Sequence, residues 1–110
     1  MAKTPTHLKV TLLIPLTDND GQSFDLLTWD WWNDRLTALV SGFTDHGVAT
    51  GWWRGYADQN RVIVVVVKTM REVRALRRLL LEACERFRQQ AMYFEYHRVF
   101  FEEVQEGPSP

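Results

Sequence analysis

Glu95 and His97 stand two apart in an aromatic run, Tyr93-Phe94-Glu95-Tyr96-His97, toward the end of a 110-residue chain. In extended backbone alternate residues share a face, so a carboxylate and an imidazole that titrates near neutrality would sit side by side. Such a pair can pass protons to a ligand or anchor a partner subunit, and the second role is the more economical. Trp52-Trp53-Arg54 and Tyr56 add aromatic bodies with polar tips, the composition of a small-ligand site. With Tyr96 these form the candidate binding set: Trp52, Trp53, Arg54, Tyr56, Glu95, Tyr96 and His97. The ligand expected is small and apolar or aromatic. In a regular strand Trp52 and Trp53 point to opposite faces, so one of them faces the same side as His97.

The remaining reactive residue types read as structural. Asp18-Asn19-Asp20-Gly21 opens like a calcium loop, but that loop needs Gly at its sixth position and Glu at its twelfth. Counted from Asp18, those places hold Ser23 and Trp29. A turn that initiates a helix explains the segment better. His46 lies in a polar stretch, Thr-Asp-His-Gly, and reads as solvated. Cys84, the lone cysteine, falls on an apolar helical stripe and behaves as a small hydrophobe rather than a nucleophile. No spacing resembles a zinc site. Neither metal nor cofactor is expected, and no catalytic residue is assigned.

Composition narrows the function classes. The formal net charge is -1, with 45 % hydrophobic and 25 % charged residues, so no general attraction to nucleic acid or anionic membrane is expected. Arg71, Arg74, Arg77, Arg78, Arg86 and Arg88 make one helix basic, but Glu72, Glu82 and Glu85 offset them. A single cysteine excludes a disulfide within the chain and fits a reduced, cytoplasmic setting. No segment approaches the ~20 apolar residues that span a bilayer.

The elements that position these residues follow from periodicity. Residues 1–7 read as a flexible lead-in, 8–104 as one domain and 105–110 as a tail. Leu8–Leu16 alternates as a strand, with Leu8, Val10, Leu12 and Ile14 on one side and Lys9, Thr11 and Leu13 on the other; Pro15 limits its pairing. A helix runs from near Asp25 or Thr28 to about Val40, with Thr28 as a candidate N-cap and Gly42 as a left-handed stop. Val48–Arg54 is extended, with Gly51 suggesting a bulge. Ala57-Asp58-Gln59-Asn60 reads as the hairpin turn into Arg61–Lys68. Thr69 caps the next helix, with Glu72 as its capping-box partner, and the helix continues to Gln89 or Gln90. Met92–Val104 is the last strand.

Strand, helix, strand, strand, helix, strand is the order of a ferredoxin-like plait (βαββαβ), an α+β fold whose four-stranded antiparallel sheet carries two helices on one face. The run Val62-Ile63-Val64-Val65-Val66-Val67 conflicts with an open second face, because both alternating sets are apolar. An uncovered set, with aromatics beside it, leaves a patch about as large as monomers tolerate. Self-association resolves this, and the candidate interface is Ile63, Val65, Val67, Tyr93 and Phe101. Nucleic-acid recognition on this plait would instead need exposed aromatics on the central strands.

Ile14-Pro15-Leu16-Thr17-Asp18-Asn19-Asp20-Gly21, with Trp29, Gly42-Phe43-Thr44, Gly51-Trp52 and Phe87–Glu95, resembles an uncharacterised family of short bacterial proteins. The family pattern has Gln-Glu where this chain has Gln89-Gln90, and a longer hairpin after the Trp. The resemblance implies a ferredoxin-like fold and no assigned activity. The expectation is therefore a small interaction or ligand-sensing module, homo-oligomeric through its sheet face. The alternative is a small enzyme of the dimeric α/β-barrel type with a pocket between sheets.

Overall fold

The computed structural model describes residues 3–107. Its elements are β1 (His7–Pro15), α1 (Leu26–Leu39), β2 (Thr44–Trp53), β3 (Tyr56–Val67), α2 (Met70–Arg86) and β4 (Tyr93–Val99). All strand pairs are antiparallel, and the sheet order is β2-β3-β1-β4. The fold is thus α+β, four antiparallel strands and two helices, an arrangement compatible with the expected plait. No helix among the described residues is long and apolar enough to cross a membrane.

One core lies between the sheet and the helices. Leu8, Val10, Leu12 and Ile14 of β1 meet Ile63, Val65 and Val67 of β3 there, under Trp32 and Leu36 of α1 and Val73, Leu76, Leu80 and Ala83 of α2. The two strands bring these residues to one face because Leu8 pairs with Val67, Val10 with Val65 and Leu12 with Ile63.

Each helix has a definite start. Asp25, not Thr28, is the N-cap of α1: its Oδ1 accepts from the Thr28 amide at 2.9 Å and the Thr28 hydroxyl at 2.8 Å. The hydroxyl of Thr69 accepts from the Glu72 amide, and the Glu72 carboxylate reaches back to the Thr69 hydroxyl and the Lys68 amide, a variant of the expected capping box, in which it would accept from the Thr69 amide. At the other end of α1 the chain turns extended at Val40, and Gly42 does not take a positive φ. The helix therefore ends without a left-handed stop.

The hairpin differs from expectation. Its turn is Arg54-Gly55, both at positive φ (49° and 83°), the backbone of a tight two-residue hairpin loop. Ala57–Asn60 is strand, pairing with Ala49–Trp52. The polar character of Ala57–Gln59 reflects exposure beyond the end of β1, whose last partner is Asn60 opposite Pro15, rather than a turn. The bulge in β2 falls between Asp45 and Val48, where Gly47 has φ 81°, and not at Gly51. β4 is shorter than Met92–Val104 because β1 begins at His7, the partner of Val99. Beyond it there is no strand left to pair. The ribbon tip and the C-terminal segment leave opposite ends of the sheet, and the molecule is 58 Å long. Its radius of gyration is 16.3 Å, where a compact chain of this length would have about 13 Å.

Candidate functional site

The uncovered face of the sheet is built from the residues that alternate with the core. β1 supplies Lys9, Thr11 and Leu13, β3 supplies Val66, Val64 and Val62 opposite them, and β4 supplies His97, Glu95 and Tyr93. Three half-buried valines thus run down the centre of this face, with Leu13 beside them and mostly polar residues around. Ile63, Val65 and Val67, the set expected at an interface, lie on the other side: they are at most 3 % exposed, under the helices. Both alternating sets are apolar, so composition could not assign the faces; packing against α1 and α2 does. Tyr93 is on the uncovered face. Phe101 lies past the end of β4, its ring 4.6 Å from that of His7.

The seven candidate ligand-binding residues do not come together. Glu95 and His97 share the uncovered face, where Glu95 pairs with Thr11 and His97 with Lys9. Tyr96 pairs with Val10 on the helix side, at the sheet edge, and is separated from both. Trp52 pairs with Ala57, Trp53 with Tyr56, and Arg54 forms the turn, so these residues sit at the ribbon tip. The Trp53 side chain lies outside what the structure describes. By register Trp52 alternates with the helix-side set. Glu95 is occupied locally: the Tyr93 hydroxyl donates to its carboxylate at 2.9 Å. That hydrogen bond, and then the negative charge itself, hold the Tyr93 phenol above its ordinary pKa.

Aromatic and charged clusters elsewhere serve the packing. The Asp18 carboxylate accepts from the amides of Asp20 and Gln22, both at 2.9 Å, and pairs with Arg88 at 2.8 Å. The Gln22 amide is the main reason its pKa is lowered. This is a closed polar turn, as the sequence suggested. Trp31 lies between the guanidinium groups of Arg35 and Arg86, and Arg35 pairs with Glu82 of α2. Burial pushes the Cys84 thiol up, away from thiolate reactivity.

One cavity joins the uncovered face to the ribbon, and the sequence did not reveal it. It has a volume of about 560 Å³ and forms where β1 gives out at Pro15, β4 begins at Tyr93 and the ribbon passes alongside. Leu13, Pro15, Ala91 and Met92 supply apolar walls, Trp52 an aromatic one, and Asp58, Asn60, Gln89 and Tyr93 the polar groups. Of the expected residues whose side chains are described, Trp52 alone lines it. Gln89 fixes the floor: its side-chain nitrogen donates to the carbonyls of Thr17 and Phe87, each at 3.1 Å. Asn60 is the buried polar residue of this region, 8 % exposed. A polar residue interrupting the strand just before the valine run is the signal that could have flagged it.

No protein-family model matches the chain, and no curated protein matches it. Solved structures do. A DUF3240 family protein from Shewanella baltica OS155 is 16% identical with a TM-score of 0.66, over 94% of this chain and 100% of that one. A phage SAM lyase in complex with S-methyl-5′-thioadenosine is 15% identical with a TM-score of 0.57, over 91% of this chain and 87% of that one. CutA from Xylella fastidiosa is 16% identical with a TM-score of 0.49, over 89% and 88%. At these identities the first two likenesses are ones of fold alone.

Proposed function

We propose that this chain is a small non-catalytic interaction and ligand-sensing module of ferredoxin-like fold, which self-associates through its uncovered sheet face in the cytoplasm. The observation that carries this reading is the row Val62, Val64 and Val66 with Leu13, on the face that no helix covers. Apolar area removed from water stabilises association by about 25 cal/mol per Å² before the costs of ordering. A second copy of this chain suits the face by charge. Lys9 on β1 and Glu95 on β4, diagonal neighbours, lie to one side of the valine row, so a twofold axis passing between them sets each against its opposite charge in the second copy.

Sedimentation of the intact chain at micromolar concentration is expected to give a dimer or larger species. Val64→Lys, on the uncovered face, is expected to give a folded monomer, and Thr11→Arg beside it provides a second variant should the first fail to fold. A monomeric native chain, or a Val64→Lys variant that remains folded at unchanged mass, would overturn the reading.

A further inference from the structure

We infer that the cavity between Trp52 and Tyr93 binds a flat aromatic amine or amidine, neutral or cationic, that stacks on Trp52 and presents hydrogen-bond donors to Asn60 and Asp58. This deepens the ligand-sensing part of the proposed function and is independent of self-association. The volume, about 560 Å³, is that of a small-molecule site, and a few polar groups among apolar walls are its usual lining. Trp52 is 73 % exposed, so its large ring contributes little to the core and is available to stack.

The polar groups have a common chemistry. Asn60 is nine-tenths buried, yet among the described residues its side chain makes one marginal hydrogen bond, its nitrogen donating to the Asp58 carbonyl at 3.5 Å. Its carbonyl oxygen is therefore left to accept. The Gln89 side-chain nitrogen is committed to two backbone carbonyls, which leaves that amide, too, with acceptor capacity. Asp58 is the sole carboxylate among the described residues of the lining, and none of those residues is a lysine or arginine. Acceptors and negative charge around a stacking surface select donors and positive charge, and they disfavour carboxylates and phosphates.

Benzamidine, benzamide and benzoate test this, because they share one shape and carry positive, zero and negative charge. Calorimetric titration of the intact chain is expected to rank them in that order, with benzoate giving no measurable binding. Trp52→Ala should weaken benzamidine about tenfold at an unchanged melting temperature, and Asp58→Asn should narrow the gap between benzamidine and benzamide. Benzoate binding as tightly as benzamidine, a Trp52→Ala variant with undiminished binding, or no binding of benzamidine would each overturn the inference. Trp52 and Asp58 are exposed, so neither variant endangers the fold. Sedimentation without added compound judges self-association separately, so either reading can fail alone.

Discussion

The Arg61 guanidinium lies 4.4 Å from the centroid of the Trp29 ring, and this stack ties the third strand of the sheet to the first helix. Trp29 in turn meets Phe87, the C-cap of α2, edge-on at 5.0 Å, and Phe24 at 6.3 Å. Arg61 also approaches Asp45 at 3.4 Å, but that ion pair is part-exposed. The stack therefore outweighs the ion pair. Arg61→Ala should cost about 1 kcal/mol in denaturant unfolding through the lost cation–π contact. Asp45→Ala should cost about half of that or less. A cycle with Trp29→Leu should recover the coupling, and a coupling of zero would show that the stack contributes nothing.

Adjacent valines should behave oppositely. Val65 is fully buried in the core, and Val64 lies on the uncovered face. Val65→Lys is expected to cost more than about 3 kcal/mol, because an unpaired charge enters an apolar interior, and to abolish the far-ultraviolet dichroism of the fold. Val64→Lys should retain it.

Trp32 fills the core at 1 % exposure, and its indole N–H has no partner among the described residues. An unsatisfied buried donor costs about 1–3 kcal/mol, which Trp32→Phe removes while leaving part of the ring volume empty. Trp32→Phe is expected to cost about 1 kcal/mol or less, the two effects offsetting. Trp32→Ala should cost about 3–5 kcal/mol. Chemical denaturation of both variants measures the difference. A Phe variant as unstable as the Ala variant would argue that the N–H carries no penalty.

Acid should loosen the helix caps. Asp25 has its pKa lowered, chiefly by the Thr28 hydroxyl and then its amide, and Asp18 is lowered chiefly by the Gln22 amide. A depressed folded-state pKa contributes stability that is present above the unfolded value, about 4, and lost as pH falls through the folded value. The melting temperature should thus decline below about pH 4. Asp25→Asn, which can still cap without ionising, should flatten part of that decline.

Tyr93 gives the opposite sign. Its phenol is raised by the hydrogen bond to Glu95, so its contribution is present below the unfolded value, about 10, and lost as pH rises through the folded value. Ultraviolet titration should show one tyrosine ionising later than the other two, and Tyr93→Phe or Glu95→Gln should remove that late step.

The element order was legible because each signal is local. The Thr69–Glu72 cap, the alternation of Leu8 to Ile14 and the stripe through Val73, Leu76 and Leu80 each depend on a few neighbouring residues. Misreadings arose where a local signal had two physical causes. Ala57–Gln59 is polar because a ribbon beyond the sheet is wet on both sides, and polarity alone could not separate that from a turn. The tight turn was hidden because Arg54 occupies a left-handed position more often held by Asn or Gly.

What the chain determined by itself was the set of strands and helices and the fact that one apolar row of Val62–Val67 would be left over. Which row that is, only the tertiary structure decided. Shifting a strand by one residue exchanges its faces, and with valine on both, nothing within the strand distinguishes them. The partners do: Leu8, Val10 and Leu12 hold Val67, Val65 and Ile63 beneath the helices. That choice turned Val62, Val64 and Val66 outward and set Asn60 at the cavity mouth, beside a Trp52 contributed by another strand. A site assembled from four separate segments exists only once they pack, and so it could not be read along the chain.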